Sequence, residues 1–116
     1  MGKSIKKQLF KQFIQERCNG HIEAVKDNVS SGAITLAEAQ SFITYEPIAH
    51  SIEQQYNFAK TIGGIKIGQA LFIGNQDLKF VTDDYLKQTI TEVIEVIDKQ
   101  TIFQELKTID EAYYNY

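Results

Sequence analysis

The stretch SIKKQLFKQFIQERCNGHIEAVKDN, residues 4–28, decides how the chain folds. Its apolar residues Ile5, Leu9, Phe10, Phe13 and Ile14, then Cys18, Ile22 and Val25, recur three and four apart, the period of an amphipathic helix. Laid out at about 100° per residue, they do not keep to one face. The stripe centres near ~230° from Ile5 to Ile14 and near ~10° from Cys18 to Val29, a rotation of about 140°. Asn19-Gly20 sits at the changeover, where Gly costs a helix interior about 1 kcal/mol relative to Ala. Either the helix breaks there or its two halves face different neighbours.

The other end of the chain poses the same question. Leu86, Ile90, Val93, Ile94 and Ile97 centre near ~340°, whereas Ile102, Leu106, Ile109 and Tyr113 centre near ~130°. The changeover falls at Asp98-Lys99-Gln100, and Thr101 with Gln104 offers a fresh capping box. If the helix is unbroken, the terminal stripe is an exposed apolar patch of a size that monomers rarely tolerate. That reasoning predicts a dimer or higher homo-oligomer with Ile102, Leu106, Ile109 and Tyr113 in the interface. On this reading Leu106→Glu shifts the mass towards monomer. A bend between Asp98 and Thr101 is the alternative.

The charge asymmetry reads first as two solvated helix faces, and otherwise favours an end-to-end arrangement of subunits. Residues 1–28 carry six basic and three acidic side chains, whereas residues 83–116 carry three basic and eight acidic ones. Lys3, Lys7 and Lys11 line up at helical spacing beside Lys6, so the basic end of one subunit would attract the acidic end of another.

Between the ends, Ser30-Ser31-Gly32, Gly63-Gly64 and Gly74-Asn75-Gln76-Asp77 punctuate the chain. Thr35 and Glu38 form a capping box for a second helix whose apolar face is Ala39, Phe42 and Ile43. Pro47 suits the first turn of a third helix, in which Ile48, Ile52, Tyr56, Ala59 and Ile62 keep one seam. Ile65-Lys66-Ile67 alternates, and the short run Ala70 to Ile73 precedes Leu78-Lys79-Phe80-Val81. This reads as a β-hairpin at about 65–82 closed by Gly74 to Asp77, with a short buried helix from Ile65 to Ile73 as the alternative. Thr82 then caps the next helix, with Asp83 and Asp84 in its first turn favouring the helix dipole. The fold class is therefore mainly α: one small domain spanning 1–116, of about four to six helices with a hairpin.

Composition bounds the function. With 116 residues, 43% of them hydrophobic and 23% charged, the chain fills one core and is not disordered. The single cysteine, Cys18, allows no intrachain disulfide. The basic start is followed by no apolar run, which argues against a signal peptide or a membrane span, and Lys6 occupies the position where a myristoylation signal has Ser or Thr. A cytoplasmic protein without a membrane partner is expected.

No motif carries recognisable chemistry. Asp27 to Glu38 has the length of a calcium loop, but Val29 stands where the third ligand belongs, so helix capping by Thr35 and Glu38 explains it better. Cys18 with His21, and Glu46 with His50, have ligand spacing but lack a second Cys or His pair. Gly64 and Gly68 follow a helix and lack the strand–turn–helix context of a dinucleotide site or a Walker lysine. A helix-turn-helix between Leu36 and Lys60 would present Glu46 and Glu53 to phosphates, so nucleic acid is not the expected partner. The tail Tyr113-Tyr114-Asn115-Tyr116 is either an aromatic patch for a partner or packed on its own domain.

The expectation is a non-enzymatic interaction or regulatory module without cofactor, acting as a homo-oligomer or docking on another protein. Small size and an Ile/Lys/Gln/Asn-rich composition suggest a phage or other mobile element. The rival expectation is a small-ligand- or nucleotide-binding protein with its pocket between the 65–82 segment and the helix at 48–62.

Overall fold

The computed structural model describes residues 3–69 and 71–114, with the side chains of Lys3 and Ser4 outside the description. Helix α1, Lys3–Ser30, runs through Asn19-Gly20 without a break. Its rotating stripe is accommodated by a change of neighbours. In the first half, Phe10 meets the ring edge of Tyr56 at 5.6 Å and packs on Phe80 and Tyr85 at 6.1 and 5.7 Å. In the second half, Cys18 and Ile22 border one hollow with Val93 and Ile102, and Lys26 reaches Glu105. One long helix thus serves as a spine with different partners on its two ends. Its 28 residues extend about 42 Å, and the molecule measures 52 × 24 × 19 Å. The radius of gyration, 16.0 Å, exceeds the roughly 13 Å expected of a compact domain of this length.

Helix α2, Leu36–Phe42, starts at the expected capping box. The Thr35 hydroxyl accepts from the Glu38 N–H at 3.1 Å, and the Glu38 carboxylate accepts from the Thr35 N–H at 3.2 Å. Helix α3, Tyr45–Thr61, carries Pro47 in its first turn and buries Ile48, Ile52 and Tyr56. Ile62 leaves the seam: it lies just past the helix end and is exposed.

The hairpin is present, with a different turn from the one the composition suggested. Strand β1, Gly64–Ile67, pairs antiparallel with β2, Leu71–Gly74, so that Ile65 faces Ile73 and Lys66 faces Phe72. The chain reverses after Gly68, whose φ of +60° suits glycine, rather than at Gly74 to Asp77. Asn75–Leu78 instead forms a 3-10 turn. The Asn75 N–H donates to the Gly63 carbonyl (3.0 Å), carrying the ladder one pair further, and its side chain donates to the Lys60 carbonyl (2.9 Å), tying this end of the hairpin to α3. Ile65, Ile67 and Ile73 enter the core while Lys66 and Phe72 stay outside, the alternation expected of a half-buried ribbon.

The C-terminal region resolves into two helices, α4, Asp83–Glu95, and α5, Lys99–Tyr114. Thr82 caps α4 as expected, accepting from the Tyr85 N–H at 3.1 Å. The cap of α5 is Asp98, not the expected Thr101–Gln104 box. Its carboxylate accepts from the Thr101 N–H at 3.1 Å and from the Thr101 hydroxyl at 2.7 Å. The break turns both stripes into one core: Leu86, Ile90, Val93 and Ile94 are buried, and so are Ile102 and Leu106. This overturns the unbroken helix from which an exposed terminal stripe was inferred. Leu106 is fully buried within its own chain and Ile102 nearly so, and neither is available to a second subunit.

Candidate functional site

Three of the large apolar side chains that the core leaves out gather at one place. On α3 the buried seam passes through Ile52 and Tyr56, so Phe58, about 200° further round, projects outward. Phe72 lies on the outer face of the hairpin because its neighbour Ile73 takes the inner one. Ile62 stands where the chain turns from α3 into β1. Phe58, Ile62 and Phe72 are 66%, 67% and 63% exposed, among the most exposed large apolar residues of the chain. All three border a groove of about 430 Å³ between α3 and the hairpin, with Phe13 and Arg17 of α1 contributing to its lining.

The rim of this groove is positive. Arg17 lays its guanidinium over the Phe13 ring, 5.3 Å from the centroid, with its Nε buried and without a protein partner. Lys66 stands beside Phe72 across the strand pair. Gln54 and Gln55 add amides, and no carboxylate is among the lining residues. Nearby, Lys60 sits over the Tyr56 ring at 5.6 Å. Glu16, the nearest acid in sequence, is 3.9 Å from Arg17 and accepts the Gly68 N–H at 3.2 Å, pinning the hairpin turn to α1.

The sequence placed a pocket between the 65–82 segment and the third helix, and the groove lies there. It did not single out Phe58, Phe72 or Arg17. The usable signal was that two bulky aromatics fall off the buried periodicity of their elements.

The residues proposed from sequence lie elsewhere and are scattered. Of the basic stripe, Lys3 has its side chain outside the described residues. Lys7 sits over the Tyr85 ring at 5.8 Å, Lys11 is 3.6 Å from Glu92, and Lys6 is 2.9 Å from Asp77. These lysines are engaged within their own chain. Ile109 is half-buried, and Tyr113, 45% exposed, lies over the loop after α1: a Cβ on Gly32 would collide with its ring. Tyr113 and Lys7 are thus at opposite ends of α1, about 35 Å apart along its axis.

Cys18 is buried, and burial pushes its thiol up to about 11, so it is protonated and unreactive at neutral pH. His21 Nε2 donates to the Phe42 carbonyl at 2.8 Å, tying α1 to α2. Glu46 and His50 are both exposed on α3. Glu38 is engaged in its cap, and the Asn28 carbonyl accepts the Ala33 N–H at 2.8 Å, so Asp27 to Glu38 is a helix-to-helix connection. Among the described residues no three His, Cys, Asp or Glu are grouped to hold a metal, and no helix is long and apolar enough to cross a membrane. No protein-family model, curated protein or solved structure matches the chain.

Proposed function

We propose that this chain is a non-enzymatic protein-interaction module whose docking surface is the groove between α3 and the hairpin. The observation that carries the reading is the convergence of Phe58, Ile62 and Phe72, all mostly exposed, on one groove beside Arg17 and Lys66. Aromatic and Arg side chains supply most binding energy at protein interfaces, and a contiguous apolar patch rimmed by polar groups marks such a site. The free, buried Cys18 suits a reducing compartment, and the cytoplasm is the proposed place of action.

A small-ligand reading draws support from the groove's volume, about 430 Å³, which falls in the range of small-molecule sites. The two readings part on experiment. Phe58→Glu with Phe72→Glu should leave stability within about 0.5 kcal/mol per site, since both side chains are exposed. A pull-down from native lysate should retain a protein on the wild type and lose it on this variant. Equal retention by both would refute the groove. A metal or nucleotide at a hundred times its Kd should stabilise by about 2.7 kcal/mol. Such a stabilisation in the wild type and not in the variant would favour the ligand reading.

A further inference from the structure

We infer that the occupant of the groove is the acidic, aromatic end of α5, residues Asp110 to Tyr114, from a second copy of this chain. The inference rests on the groove being a protein-docking surface and adds the identity of its partner.

Charge complementarity selects this segment. The groove presents Lys66, which has no salt-bridge partner among the described residues, and Arg17, 3.9 Å from Glu16, beside exposed Phe58 and Phe72, with no acid in its lining. Residues 83–116 are the acidic part of the chain. Within them Glu92 and Glu105 are paired with Lys11 and Lys26, while among the described residues Asp83, Asp84, Glu95, Asp98, Asp110 and Glu111 have no salt-bridge partner; of these, Asp110 and Glu111 are the pair next to exposed aromatic rings. Beside these carboxylates stand Tyr113 and Tyr114, 45% and 72% exposed, their rings edge to face at 5.1 Å. Two carboxylates and two aromatic rings on one helical turn complement two cations and two aromatic rings in the groove.

The segment cannot fill the groove of its own chain. Tyr113 is held over Gly32, beyond the end of α1, whereas Arg17 lies near the middle of that helix. The 13 residues from Arg17 to Ser30 separate them by about 20 Å along the axis. The contact therefore joins two different patches, and two copies satisfy both by lying antiparallel with each tail in the other's groove.

Light scattering on the purified full chain, with far-UV circular dichroism as the folding control, tests this. The wild type should show dimer mass as concentration rises to about 500 µM, and the dissociation constant should increase with salt, as screened charges require. Lys66→Glu alone, and Asp110→Lys with Glu111→Lys alone, should each weaken self-association about ten-fold or more. An equimolar mixture of the two variants should associate more tightly than either variant alone, because in the mixed dimer one contact joins the native groove to the native tail and the other sets the Lys66→Glu carboxylate against the lysines introduced at positions 110 and 111. Dimers indifferent to both variants and to salt would overturn the inference. So would a wild-type monomer at about 500 µM, and that result leaves the groove open to a foreign protein, as the pull-down would reveal.

Discussion

Replacing Gly20 by Ala should stabilise the chain by about 0.8–1.0 kcal/mol, the difference in helix propensity between the two residues. Gly20 sits inside α1, is absent from the positive-φ glycines, and is exposed. A Cβ built there meets nothing within 4 Å, so the new methyl neither clashes nor fills a space. The gain comes from the unfolded chain, which has less backbone freedom to lose with Ala than with Gly. For a chain of 116 residues this corresponds to a rise in melting temperature of about 3–4 °C. Urea unfolding followed by circular dichroism at 222 nm should show a higher midpoint at unchanged slope. A lower midpoint would mean that the helix breaks at Asn19-Gly20 with a backbone that Ala resists. The reading of α1 as one spine with two sets of neighbours would then be wrong.

Three further outcomes follow from the same packing. Leu106→Ala should cost about 2–5 kcal/mol, and Leu106→Glu should unfold the chain rather than merely change its mass; a folded Leu106→Glu protein would place this face of α5 outside the core. Cys18 should react slowly with thiol reagents at pH 8 and quickly once denaturant is added, since burial keeps its thiol up at about 11; rapid native reaction would mean the site is open. Hydrogen bonds from Thr101 hold the Asp98 carboxyl below the ordinary carboxylate range. Its stabilisation is therefore present above the unfolded value near ~4 and lost as pH falls through the lower folded value. Asp98→Ala should lower the neutral-pH melting temperature and flatten this acid limb, and unchanged acid titration of stability would contradict the cap.

Local chemistry was legible in the sequence wherever one or two residues decide the outcome. Thr35 with Glu38, Thr82 and Pro47 mark helix starts because their caps and missing donors act within one turn. The rotating stripes located both critical points but could not say which would break. At Gly20 the helix continues because each half finds its own neighbours; α4 stops after Glu95, and Asp98 starts a separate helix because its carboxylate takes both the N–H and the hydroxyl of Thr101. Two signals misled. Gly74 to Asp77 has the composition of a turn, yet the burial of Ile65, Ile67 and Ile73 sets a register that puts the reversal at Gly68. The terminal stripe was placed on one unbroken helix, whereas the break before α5 sends Ile102 and Leu106 into the core and leaves Ile109 and Tyr113 partly exposed. The groove was legible as a place but not as a set of residues. Phe58, Phe72 and Arg17 come from three elements, and their convergence depends on how α3 and the hairpin sit on α1.

The most direct test of the groove as a docking surface for a second copy is a concentration series of amide nuclear magnetic resonance spectra on the wild-type chain. Between about 20 µM and 1 mM, the amides of Phe58, Ile62, Lys66 and Phe72 should shift together with those of Asp110 to Tyr114, along one binding curve. Spectra that do not change over this range, or shifts confined to other faces such as the lysines of the first turns, would contradict it.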